Sequence, residues 1–173
     1  RRLTAYHEAG HALVQSMLKD ADPLHKVSII PRGSMGGATF ALPEKDRHFY
    51  TRRYCMALLQ VCYGGRIAEE LFCDDISSGA QSDIQQATLI AREMVMTWGM
   101  GEEMGLINFS GDPARDYYLG PANEYSQKTA ERIDQEIKKI IDQAYRDSRT
   151  LIETNKDKLE AIDKDKFSMA IEG

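Results

Sequence analysis

Apolar residues recur at helical spacing over much of this chain, with one clear interruption. From Thr4 to about Lys19 the positions Leu13, Val14, Met17 and Leu18 share a helical face, and Thr4 is a suitable N-cap, so a first helix is expected there. The rhythm then changes. Val27 to Ile30 is mostly β-branched, Pro31, Gly33, Gly36 and Gly37 punctuate, and Ala38 to Leu42 reads as a second strand closed by Pro43. Helical spacing returns from about Phe49 to Phe72 and again from Asp83 to Trp98, the two separated by a loop through "CDDISSGAQS". After the Gly-rich "GMGEEMG" a polar stretch runs to about Pro121. A long amphipathic helix is expected from about Glu124 to Asn155, with Ile133, Ile137, Ile140, Ile141, Ala144 and Leu151 as its buried stripe. The charge-rich tail "NKDKLEAIDKDKFSMAIEG" is weakly patterned and reads as a short, frayed helix. The expected fold is therefore mainly α, with a small β element of two or three short strands. No repeat or low-complexity linker divides residues 1–173, which are expected to form a single domain.

Composition narrows the picture. The chain has 173 residues of which 42% are apolar, enough for a core of its own. Net charge is −5 and Lys and Arg are scattered, so no basic stripe suited to phosphates exists and nucleic acid is not an expected partner. The three cysteines Cys55, Cys62 and Cys73 form no CxxC and are odd in number, which favours a reducing compartment over a disulfide framework. Cys55 and Cys62 share a predicted helix face and read as core residues. No apolar run approaches ~18 residues, and the opening "RRLTAYHE" lacks a signal-peptide core. A start two residues before a helix suggests a soluble piece excised from something longer.

Candidate chemistry concentrates in "YHEAGHAL", Tyr6 to Leu13. Residues i and i+4 share a helix face, so His7 and His11 can aim two imidazoles at one point about 2.0–2.1 Å from each, as zinc requires. Glu8, about 100° round the helix, can reach a water at that point without being a ligand. This is the HExxH arrangement of zinc proteases. Three fixed positions recur by chance on the order of once per few hundred chains of this length, so context matters. Here His7 and His11 lie on the stripe of Val14 and Leu18 and face the interior, where two imidazoles need partners. Gly10 costs about 1 kcal/mol relative to Ala inside a helix, which is tolerable if something approaches the backbone closely.

A catalytic zinc site takes three protein ligands. His25 is one rival for the third place, but it abuts the Val27 to Ile30 strand; the extended histidine motif of metzincins is absent, since Val14 to Leu18 stand where its Gly and third His would be. Two carboxylates remain. Glu69, in "YGGRIAEELF", falls on the face of Leu58, Cys62 and Gly65. Asp83 opens a helix and heads a stripe of Ala87, Ile90, Ala91 and Met94. An acid in either place needs a cation, a cap role or a metal, and spacing does not choose between them.

The ordered motifs "TAYHEAGHAL", "HKVSIIPRG", "YGGRIAEE" and "SSGAQSDIQQATLIAREMVMTWGM" resemble the peptidase domain of the FtsH family of membrane-anchored, ATP-dependent zinc proteases. The likeness runs from about Leu3 to Gly105 and continues through "YLG" and "TAERIDQEI". It departs at the C-terminus, where "DKDKFSMAIEG" stands in place of a leucine-rich helix. The resemblance implies a mainly helical domain with one Zn2+ per chain, held by His7, His11 and Asp83, with Glu69 orienting a histidine by accepting its other N–H. Members carry N-terminal membrane spans and an AAA ATPase module, and assemble as hexamers. This chain contains no GxxxxGK[ST], so ATP-driven unfolding is expected of another part, and the implied location is the cytoplasmic face of a membrane.

The leading expectation is hydrolysis of peptide bonds in unfolded or misfolded chains, with Glu8 as general base toward the attacking water. Polypeptide is best read without sequence preference by main-chain pairing, and "GATFAL", with Gly37, Ala38, Thr39 and Phe40, is the expected edge strand for it. The aromatic and Met-rich "TWGMGEEMG" is an expected subunit contact. The alternative is a catalytically inactive zinc-binding assembly domain, and a purely structural helical domain would hold no zinc.

Overall fold

The first two helices of the chain meet glycine to glycine. In the computed structural model, which describes residues 2–22, 49–120 and 125–172, α1 spans Arg2–Met17 and α2 spans Arg52–Phe72. They run antiparallel, for His7 of α1 meets Glu69 of α2 while His11 meets Val61. A Cβ at Gly10 would lie 2.2 Å from the Gly64 carbonyl oxygen, and one at Gly64 would lie 2.7 Å from that of Gly10. The close approach anticipated at Gly10 is thus the backbone of α2. Tyr6 stacks on Phe72 with ring centroids 5.2 Å apart, closing the same interface at its other end.

Local chemistry sets the boundaries. α1 begins at Arg2, so Thr4 lies inside the helix and is not its cap; the Arg2 guanidinium sits 5.5 Å from the Tyr6 ring, an i, i+4 cation–π pair across the first turn. α2 starts at Arg52 because the Thr51 hydroxyl accepts the Tyr54 N–H at 3.1 Å, which leaves Phe49 outside the helix and exposed. A short 3-10 turn, Ser78–Ala80, leads into α3, Gln81–Met96, so this helix begins two residues before Asp83. α4, Pro113–Leu119, forms where only a polar stretch was expected: Asp112 accepts the Ala114 N–H and Pro113 occupies the first turn. α5 is Gln127–Glu153, capped by Ser126, and α6 is Lys156–Glu172, longer than the frayed helix anticipated from its weak pattern.

α2 is central. It packs on α1, α3 and α5, and α6 lies against α1. Leu13, Leu59, Ile67, Ile90, Met94 and Ile152 are buried in one apolar cluster spanning α1, α2, α3 and α5. The α5 stripe runs through Ile133, Glu136, Ile140, Ala144, Ser148 and Ile152, while Ile137, Ile141 and Leu151 flank it half-buried. Its two polar members are satisfied, Glu136 by the Glu102 N–H at 3.1 Å and Ser148 by donating to the Gln60 carbonyl at 2.8 Å. Cys55 and Cys62 are core residues as expected, and burial pushes the Cys55 thiol up to about 11.

Two expectations fare differently. Every regular element among the described residues is helical, and the strands expected at 27–30 and 38–42 lie outside them. In the loop "TWGMGEEMG", expected as a subunit contact, Trp98 stacks on Tyr50 at 5.6 Å, Met104 is buried and Met100 packs half-buried against the core. Apolar side chains on a short loop gain more from folding back onto a nearby core than from waiting in water.

The glycine contact carries a stability prediction. Gly10→Ala should raise helix propensity yet lower stability by about 1–3 kcal/mol, because its Cβ collides with backbone that cannot rotate away. Urea unfolding checks this, and a variant as stable as wild type would contradict the crossing described here.

Candidate metal centre

Three side chains from two helices converge beside that crossing. His7 and His11 project from one face of α1, one turn apart, and their rings lie nearly perpendicular with centroids 4.6 Å apart. Asp83, in the first turn of α3, brings Oδ2 to 3.1 Å from His7 Nε2 and 3.2 Å from His11 Nε2, and the two Nε2 atoms are 3.0 Å apart. His7 and Asp83 are buried and His11 nearly so.

The other ring nitrogens decide what this triangle is. His11 Nδ1 lies 2.6 Å from the Val61 carbonyl oxygen, which can only accept, so Nδ1 carries the proton. His7 Nδ1 donates in the same way to Glu69 Oε2 at 2.8 Å. In the neutral rings both Nε2 atoms are then bare lone pairs, set 3.0 Å from each other and beside a carboxylate oxygen. Three acceptors so placed repel one another unless a cation lies among them. Their separations resemble the ligand–ligand edge of a four-coordinate zinc site, roughly 3.3 Å for bonds of about 2.0–2.1 Å. A proton can serve in the ion's stead, and the ionisation of the group reflects this. Burial opposes charge on His7, yet hydrogen bonds to the Asp83 and Glu69 carboxylates outweigh it and raise the imidazole above its ordinary value. Burial also opposes charge on Asp83, yet the two imidazoles hold the carboxyl down at about 2. Among the described residues, His7, His11 and Asp83 form the group able to hold a metal ion.

Comparison with known proteins points the same way. The model of Peptidase family M41 matches residues 1–169. The chain belongs to peptidase family M41. Its relatives include the ATP-dependent zinc metalloprotease FtsH 2 of Methylacidiphilum infernorum, 45% identical over 165 residues, which are 94% of this chain and 26% of that protein. The ATP-dependent zinc metalloprotease FtsH of Thermobaculum terrenum is 45% identical over 166 residues, 94% of this chain and 26% of its own length. FtsH 1 of Thermomicrobium roseum, of the same description, is 48% identical over 164 residues, 92% and 25% respectively. The M41 chain thus spans about a quarter of the length of these curated relatives.

Both acids that spacing left open are at the site, on different nitrogens of one ring. Asp83 faces His7 Nε2, while Glu69, fully buried, accepts the hydrogen bond from its Nδ1–H. Glu8 is exposed on α1, next to His7 but round the helix from the inward face. His25 and the proposed peptide-binding residues Gly37, Ala38, Thr39 and Phe40 lie outside the described residues of this M41 chain.

Three contributors had escaped the sequence reading. The Val61 carbonyl is backbone and carries no residue-type signal. Gly65 leaves room for the rings, for a Cβ there would sit 2.6 Å from Nε2 of both histidines. Ser77 donates its N–H and hydroxyl to Glu69 Oε1 at 2.9 and 2.5 Å. The adjacent glycines of "YGGR" therefore have separate tasks, Gly64 against α1 backbone and Gly65 against imidazoles. Gly65→Ala should fold but weaken metal binding at least about tenfold, since both rings must turn from the positions that converge on Asp83. Titration with zinc against a chromophoric chelator reads this, and unchanged affinity would refute the clearance role.

Proposed function

We propose that this chain is the proteolytic part of an ATP-dependent zinc metalloprotease, with His7, His11 and Asp83 as zinc ligands and Glu8 as general base. The observation that carries the reading is the convergence of two Nε2 lone pairs and a carboxylate oxygen within 3.2 Å, with both Nδ1 protons already committed. Zinc, when bound, supplies Lewis-acid polarisation of a peptide carbonyl and lowers the pKa of an attacking water.

The chain's own residues do the rest. Glu69 and the Val61 carbonyl hold the two rings in the tautomer that presents Nε2. Asp83 contributes negative charge on the face opposite Glu69. Glu8, exposed and free to exchange protons with solvent, accepts a proton from the attacking water and delivers it to the leaving amine. Substrates are polypeptides in unfolded form. Unfolding by an ATPase module and assembly as a hexamer belong to the same proposal, and rest on the family resemblance and on the names of the relatives. Among the described residues no helix is long and apolar enough to cross a membrane, so anchoring at the cytoplasmic face of a membrane would come from another segment.

Elemental analysis of the purified protein, paired with cleavage of an unstructured peptide, tests the reading. Expected is about one zinc per chain, lost with His7→Ala or Asp83→Asn. Glu8→Gln should keep the zinc and lower turnover by about 10²–10⁴-fold. Folded wild type without zinc would overturn the metal site, and Glu8→Gln with normal turnover would reassign the base.

A further inference from the structure

The carboxylate of Glu69 has two oxygens, and the zinc-site reading uses only one. Oε2 accepts from His7 Nδ1–H; Oε1 accepts from both the N–H and the hydroxyl of Ser77, at 2.9 and 2.5 Å. Ser77 is also the residue from which the route to the third ligand begins. Its hydroxyl oxygen accepts the Gly79 N–H at 3.1 Å and so caps the 3-10 turn Ser78–Ala80, which runs directly into α3 and places Asp83 in that helix's first turn. Its carbonyl accepts from Arg66 Nη2 at 2.9 Å, tying the same loop to α2 one residue beyond the clearance glycine Gly65.

We propose that Ser77 is a positioning residue of the metal site: it fixes the Asp83 segment in register with the histidine pair by binding the carboxylate that orients His7. The inference rests on the zinc-site reading and extends it. Two of the three ligands depend on this one side chain, His7 through Glu69 and Asp83 through the capped turn. Without the Ser77 hydroxyl, Glu69 Oε1 keeps a single N–H, the carboxylate can rotate, and the turn loses its cap. Distances among His7 Nε2, His11 Nε2 and Asp83 Oδ2 would then no longer be held jointly. The neighbouring Ser78 is exposed, so the role belongs to one serine of the pair.

The test measures zinc affinity per folded molecule, by competition with a chromophoric chelator, together with the visible spectrum of the cobalt(II)-loaded protein. Ser77→Ala should bind zinc about 10–100-fold more weakly and alter the cobalt bands. Ser77→Thr, which keeps a hydroxyl, should restore most of the affinity. Ser78→Ala should match wild type. Ser126→Ala, which removes the α5 cap, should lower stability and leave affinity and spectrum unchanged. Equal affinity in Ser77→Ala and wild type would overturn the proposal, as would an equal loss in Ser126→Ala, which would make the effect one of general stability. Wild type that binds no zinc would instead remove the metal-site reading beneath it.

Discussion

Two imidazole lone pairs and a carboxylate oxygen held about 3 Å apart inside a protein form an arrangement that repels itself. Each group loses water on burial, and none can satisfy another without a proton or an ion between them. Such a cluster survives only if the surrounding fold fixes every group from behind. The architecture around it can be understood as the means of doing so.

α2 supplies most of that support through a single i, i+4 series. The Val61 carbonyl holds His11, Gly65 gives both rings room, and Glu69 holds His7. These three positions recur once per turn, so one helical face meets one helical face of α1, where His7 and His11 are also one turn apart. Gly10 and Gly64 bring the two backbones close enough for the match. With larger residues at those glycines, the helices would separate and the hydrogen bonds from Nδ1 would lengthen past their useful range. Packing and polar satisfaction are therefore one problem here, solved by small residues at 10, 64 and 65.

Much of this could be read from residue types alone, because side-chain chemistry at fixed spacing leaves a mark. The i, i+4 histidines, the apolar stripe behind Asp83 and the inward face of Glu69 were all legible, as were the main helices. Spacing did not rank Glu69 against Asp83 because both are buried acids at the ring; they differ only in which nitrogen they face, a matter of how α2 and α3 sit around α1. Val61 was invisible because its contribution is a carbonyl, which every residue has. Ser77 was invisible because a loop serine beside another serine has no periodicity to distinguish it. The short helix Pro113–Leu119 did leave a signal, Asp-Pro at its start, but its seven residues show no apolar stripe to draw attention. For "TWGMGEEMG", apolar content alone does not say which side chains face out and which fold back, and Met104 folds back.

Under the proposed function, three acids divide the work according to how far each is enclosed. Both Glu69 oxygens are occupied, one by His7 and one by Ser77, and the side chain is wholly buried. Such a group is placed to orient the imidazole it holds. Asp83 points one oxygen at both Nε2 atoms, and the imidazoles keep it ionised far below neutral pH; under the proposed function that suits a ligand, whose charge must not vary, and unsuits it for a base. Glu8 alone of the three is exposed. A general base must gain and lose a proton in each cycle, and that requires access to water which the buried pair lack. The order Glu69, Asp83, Glu8, from enclosed to open, is thus the order in which the proposed chemistry demands fixity first and mobility of the proton last.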